Sequence, residues 1–429
     1  MPARIFTKEI FNNILQYVDH RRTLFSCRVV SKSFCEEATP LAFKVLIIKS
    51  PKRSTRASVE NLSMSPLVAG HVKEIDFDAT EYRATTVAVD GQAFRNFMIC
   101  MRFSTHCHSK LGFESSHDTI IQNFVAEFSH FPLFPNLKTL RIHFPINQDE
   151  YDFLDQIHNG DAEDQVPVSL NRRLQSEIFK ECARLNLSRG FKVTSLELHN
   201  LFAFPNDGIH VDGFLESFMK PLKSLHVSLQ GLRYTSDTAK VFQERFMKHD
   251  LPALLRAPAE NLEMLTYAGD MNLYPGLHDE WDTLFYPRLR YLNLEEVLFH
   301  NIAVIEPRPK HYIRRFILRH RDTLEELTLS SCACLVDSYN NGYTATWEEI
   351  FSLFQKELHN LLFFEIYPPP GEDVNSTRSY DGYVYEDTEL GYMNFFDEYP
   401  GDEDADREAL EGFLEMLKQR RDNQNNLRD

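Results

Sequence analysis

The side chains that most invite a chemical reading are polar ones embedded in a repeated apolar hexamer. They are Arg141 and His143, Glu197 and His199, His226 and Ser228, and Thr266. They continue through Asn293 and Glu295, Thr328 and Ser330, and Glu365 and Tyr367. If each hexamer is a β-strand, these positions alternate with apolar ones and share the face turned away from the core. Three histidines in consecutive copies, with Arg141, would make a pH-sensitive or phosphate-reading patch. The competing reading is a plain polar face in solvent. His106-Cys107-His108 carries metal-type donors, but adjacent residues point apart on any regular element, so a loop without metal is expected there. No glycine-rich phosphate loop, HExxH helix or GxSxG turn occurs, and no carboxylate pair stands out as an acid–base couple. No catalytic residue, metal or cofactor is therefore expected, and the chain reads as a binding protein.

The hexamer has an apolar residue at its first, fourth and sixth places. It appears as VKEIDF at Val72, LKTLRI at Leu137, VTSLEL at Val193 and LKSLHV at Leu222. It recurs as LEMLTY at Leu262, LRYLNL at Leu289 and LEELTL at Leu324, with weaker copies at Phe43 and Leu361. Helix-length amphipathic stretches precede most copies, at 92–103, 119–128, 170–187, 211–219, 238–255, 311–320 and 347–358. From Val193 onward the copies are 29, 40, 27, 35 and 37 residues apart, which predicts parallel strands alternating with helices in a curved solenoid. Residues 70–367 resemble an irregular leucine-rich repeat, and the face of Arg141, His143, Glu197, His199, His226, Asn293, Glu295 and Tyr367 becomes its candidate concave substrate-binding surface. Only the Leu324 copy has the Asn or Cys that the standard repeat places three residues after its last strand leucine, namely Cys332. An α/β domain with a conventional parallel sheet is the alternative.

Upstream, apolar residues at Ile10, Ile14 and Val18, flanked by Phe11 and Leu15, form a stripe at helical spacing, with Thr7 as a candidate N-cap. A second helix should carry Leu24, Cys27 and Val30, and a third should start at Ser31 and stop near Pro40. Glu9-Ile10, Ile14-Leu15, Tyr17-Val18-Asp19, Leu24 and the run CRVVSKSF from Cys27 to Phe34 resemble an F-box of the kind common in fungal proteins. The family usually opens with Leu-Pro, where Phe6 and Thr7 stand here. The resemblance implies a substrate-recognition subunit of a Skp–cullin–F-box ubiquitin ligase. A Skp-type adaptor, and through it a cullin, would be partners, together with an unknown protein substrate. The adaptor-facing candidates are Phe6, Thr7, Ile10, Ile14, Leu15, Leu24 and Val30. An adaptor-free scaffold whose degenerate F-box caps the repeats stays open, and an α/β enzyme is a distant alternative.

The expected organisation is therefore α/β throughout. Residues 1–49 form an F-box-like three-helix domain, 50–69 a linker, and 70–367 the solenoid with short parallel strands inside and helices outside. An acidic, aromatic-rich segment opened by prolines follows at 368–406, and an amphipathic capping helix at 407–422. The net charge of −17 argues against nucleic acid, because phosphate contacts need a basic footprint. More than half of that charge lies beyond residue 370. The aromatic residues of the acidic segment suggest that it folds, either as an appendage or over the concave face. The seven cysteines include no CxxC pair, so buried free thiols are expected. No apolar run is long enough for a membrane span, and the charged start at Arg4, Lys8 and Glu9 does not read as a signal peptide. A cytoplasmic or nuclear protein is the expectation.

Overall fold

The computed structural model describes residues 13–49, 59–80, 121–145, 170–185, 192–231, 237–270, 281–299, 312–337, 342–367, 383–394 and 402–426, apart from a few positions within those ranges. All nine hexamers are strands. They are β1 (Val45–Lys49), β2 (Glu74–Asp78), β3 (Thr139–His143), β4 (Ser195–Phe202), β5 (Ser224–Gln230), β6 (Met264–Ala268), β7 (Tyr291–Glu295), β9 (Glu326–Ser330) and β12 (Phe363–Tyr367). They pair in chain order in one nine-stranded sheet, each parallel to the next. The chain is thus mixed α/β with a large parallel sheet.

The alternation of apolar and polar residues decides which face is buried. Ile75 and Phe77, Leu140 and Ile142, Leu196 and Leu198, Leu225 and Val227, and Leu292 and Leu294 all lie in the main core. Each such side chain contributes about 1.5–3 kcal/mol on leaving water. Helices cover that face: α3 (Leu170–Leu185) with Leu174, Ile178 and Phe179; α4 (Asp237–Arg245) continuing through a π-turn into α5 (Leu251–Arg256); α6 (Tyr312–Arg319); and α7 (Trp347–Glu357). Rings fill much of this core. Phe77 meets Phe128 edge-on at 4.8 Å and Trp281 meets Phe316 at 4.8 Å. The stretch 211–219 is helical only from Phe214, because Gly213 enters it at φ 89°, which breaks the run.

The junctions between strands repeat atom for atom. The carbonyl of the hexamer's second residue accepts two N–H groups from the second and third residues of the next copy. Lys138 O, for example, takes Thr194 N at 2.9 Å and Ser195 N at 3.0 Å. The same pair of bonds recurs at Lys44, Lys73, Thr194, Lys223, Glu263, Arg290 and Glu325. Three copies are preceded by an asparagine whose amide donates to a carbonyl of the preceding unit: Asn136 to Gly70 O, Asn261 to Lys220 O and Asn360 to Asp322 O. Asn200, Glu296 and Ser331 stand one residue past the polar face at the same place in three copies, and all three adopt positive φ, 57°, 51° and 51°.

The N-terminal helices form their own small core. Residues 13–16 are helical, followed by α1 (Arg21–Cys27) and α2 (Lys32–Ala42). Ser31 caps α2 by accepting from Phe34 N, and Pro40 sits in the last turn. Leu15, Leu24, Ala38, Ala42, Phe43 and Val68 pack together. Within the stretch expected as a linker, residues 59–63 and Pro66–Ala69 are helical, and Val59 joins the main core. That stretch is apolar at Val59, Leu62, Val68 and Ala69, and this is what folds it down.

At the far end, α8 (Glu403–Asn426) buries Phe413 and Leu417 against α7 and β12. Arg420 donates to Leu358 O and Leu361 O, and Arg421 donates to Leu362 O. The helix stands at Glu403–Asn426, where the sequence placed one at 407–422. A second sheet joins β10 (Ala333–Asp337) to β8 (Leu298–Phe299), β11 (Gly342–Tyr343) and β13 (Tyr383–Asp387), with β14 (Gly391–Asn394) outside β13. The described part of the acidic segment therefore pairs beside β10. Tyr383 is buried, its hydroxyl donating to Asp406 at 2.7 Å and accepting Trp347 N at 3.0 Å.

Candidate functional site

In-register parallel pairing turns the hexamer positions into rows across the sheet. One row runs Asp76, Arg141, Glu197, His226, Thr266, Asn293, Thr328, Glu365. The next holds Asp78, His143 and His199, then Ser228, Ala268, Glu295, Ser330 and Tyr367, with a register shift after Leu198 in β4. Arg141, His143, Glu197, His199 and His226 come together on three adjacent strands. Asn293, Glu295 and Tyr367 do not join them. Tyr367 is six strand spacings from His143, roughly 29 Å at about 4.8 Å each.

The grouped residues are tightly paired, except that His226 Nε2 is buried without a hydrogen-bond partner. The Arg141 guanidinium bridges Glu74, 2.8 Å from Nη1, and Glu197, 2.9 Å from Nε. His143 Nε2 lies 3.1 Å from Asp76 Oδ1, and His199 Nε2 lies 3.2 Å from Glu197 Oε2. The rings of His143 and His199 stack at 4.3 Å, and His226 continues the column 4.3 Å from His199. Asp76 raises the pKa of His143 above the ordinary imidazole value, against partial burial. Burial pushes Glu197 upward, but His199 and Arg141 outweigh it and hold the carboxyl below its usual range. Burial, with His199 next, drives His226 down to about 4, so it is neutral at physiological pH.

This geometry bears on the chemistry. Both faces of the Arg141 fork are spent on carboxylates, and His226 carries no charge, so an arriving phosphate would have to displace existing ion pairs. The stacked rings do not converge on one point, and among the described residues no three His, Cys, Asp or Glu side chains are placed to hold a metal ion. His106-Cys107-His108 lies outside the described residues. The partners Glu74, Asp76 and Asp78 were absent from the sequence-derived site, although the copy at Val72 puts Asp76 and Asp78 at the places that Arg141 and His143 occupy in the next copy.

Among the adaptor-facing candidates, Phe6, Thr7 and Ile10 lie outside the described residues. Leu15 and Leu24 are interior, 2% and 7% exposed, while Ile14 and Val30 face solvent at 55% and 65%. Tyr17 and Val29 are also exposed. No family model and no curated protein matches this chain. Among the described residues no helix is long and apolar enough to cross a membrane. Cys332 and Cys334 are buried free thiols, and Cys332 Sγ lies 3.3 Å from Leu294 O on the neighbouring strand.

Proposed function

We propose that this chain is a substrate-recognition subunit of a Skp–cullin–F-box ubiquitin ligase. The N-terminal helices dock a Skp-type adaptor, and an irregular leucine-rich-repeat-like solenoid holds the protein to be ubiquitinated. One observation carries the reading. Ile14, Tyr17, Val29 and Val30 are exposed on the module that resembles an F-box, while Leu15, Leu24, Ala38 and Ala42 complete its core without them. Large apolar side chains that a small core does not need are the material of an interface. The backbone junction repeated between all nine strands supports the solenoid part, since such arrays are sums of near-identical neighbour contacts. The ubiquitin-transfer chemistry belongs to the ligase partners, so the receptor needs no nucleophile of its own.

The test is co-expression with a Skp-type adaptor, read by size-exclusion chromatography. The wild-type chain is expected to give a one-to-one complex. Ile14→Asp should abolish it with an unchanged circular dichroism spectrum, because that side chain is outside the core. Truncation before Val59 is a poor substitute, since it removes β1 and the core residues Leu46 and Ile48. A folded wild-type chain that forms no complex would sink the receptor reading. It would favour a scaffold whose helices close the β1 edge, to which Val68 and Leu62 already tie them.

A further inference from the structure

The polar face of the sheet is divided in two by its charge pairing. On β2, β3 and β4 every carboxylate has a cationic or imidazole partner: Glu74 with Lys44 and Arg141, Asp76 with His143, Asp78 with Lys49, and Glu197 with Arg141 and His199. From β6 to β12 the pattern stops. The strands read MLTYA, YLNLE, ELTLS and FFEIY, without one Lys, Arg or His. Glu295, Glu326 and Glu365 project from the polar face with no cationic partner among the described residues, and Glu365 only accepts from the Tyr367 hydroxyl, 2.8 Å away. Asn293 Oδ1 is buried without a hydrogen-bond partner, as are Asp76 Oδ1 and His226 Nε2 in the other half. Met264, Phe363 and Tyr367 add exposed apolar surface, at 41%, 48% and 49%. The nearest cations stand at the strand starts and are engaged there. Arg290 is held by Glu325 and lies over the Tyr291 ring, and Arg421 is held by Leu362 O and lies over Phe363.

We propose that the β6–β12 half of this face is a docking surface for an extended, Lys/Arg-bearing segment of a partner protein, and that the histidine column beside it is internal structure. The inference rests on the receptor reading for the identity of the partner as substrate. Charge complementarity sets the occupant. Three carboxylates without a cationic partner among the described residues attract cations, and the exposed aromatics accept the aliphatic stems. Glu295 and Glu365 are two strand spacings apart across the sheet and two residues apart along it, roughly 12 Å on the diagonal, the reach of about four residues of extended chain. The histidine half offers no comparable row of carboxylates without a described cation, because its carboxylates are paired with Arg141, His143, His199 and the two lysines.

The probes are short fluorescent peptides of matched length, one rich in Lys, Arg and Leu, one with the cations replaced by Glu and one with Gln. Binding to the full chain is read by fluorescence anisotropy, alone and in the presence of a Skp-type adaptor. The cationic peptide should bind best, and Glu295→Gln/Glu365→Gln should weaken it about tenfold. Glu408→Gln/Glu411→Gln on exposed α8 removes the same charge elsewhere and should leave binding unchanged. Equal losses in both variants, or no preference for the cationic peptide, would overturn the proposal. Circular dichroism of each variant separates loss of binding from loss of fold. An adaptor complex without cationic-peptide binding defeats this inference alone. Peptide binding that depends on Glu295 and Glu365 without an adaptor complex defeats the receptor reading and leaves the docking surface standing.

Discussion

His320 should make the stability of the repeat region fall steeply in mild acid. The ring is 1% exposed. Its Nδ1 lies 2.8 Å from Phe316 O and its Nε2 accepts the N–H of Tyr286 at 2.9 Å, so only the neutral ring satisfies both bonds. Burial lowers its pKa from 6.5 to about 4, with Arg319 adding to the effect against the Phe316 bond. Between those values the unfolded chain binds a proton that the folded chain refuses, so stability is full above about 6.5 and is lost as pH falls toward 4. At about 1.4 kcal/mol per pKa unit the whole effect is about 3 kcal/mol, and about 2 kcal/mol of it falls between pH 7 and pH 5. His226 titrates in the same direction, while His143, whose pKa is raised, contributes stability below 6.5 that is lost as pH rises through its folded value. Comparing wild type with His320→Gln cancels both. The assay is urea unfolding at a series of pH values, plotted as the difference between the two proteins. Wild type should lose about 2 kcal/mol more than the variant between pH 7 and pH 5. Parallel curves would refute the argument.

Other consequences are as direct. Asn261→Ala removes the amide that reaches Lys220 O at 3.0 Å and should cost about 1 kcal/mol in urea unfolding. Phe413→Ala empties a fully buried ring site against Phe364 and Phe354, and should cost about 3–5 kcal/mol and raise proteolysis at the C-terminal end first.

The sheet was legible because its signal is short-range and repeated. A hexamer such as LKSLHV shows its buried positions by alternation alone, and parallel in-register pairing then carries Arg141, His143, Glu197, His199 and His226 to one place. The pairing within that group was not legible. That Arg141 takes Glu74 and Glu197 depends on side-chain reach across three strands. The second sheet escaped for a different reason. β10 follows β9 after only two residues and matches no hexamer, and its partner β13 lies far along the chain. Tyr383 reads as one of many aromatics in an acidic tail, yet it is the one that anchors Asp406 under the start of α7. The asparagines before Leu137, Leu262 and Leu361 were a visible signal of the repeat, but only the bonds they make give them meaning.

A sheet whose strands pair strictly in chain order has a genetic consequence. The distance between successive strands can change without disturbing any pairing, because each pairing needs only the two strands themselves. The chain already exploits this: β2 and β3 are neighbours although about sixty residues separate them, while β4 and β5 are joined by about twenty. Insertion, deletion or duplication of a whole unit is therefore an available evolutionary move, and the polar face can be lengthened or rewritten one strand at a time.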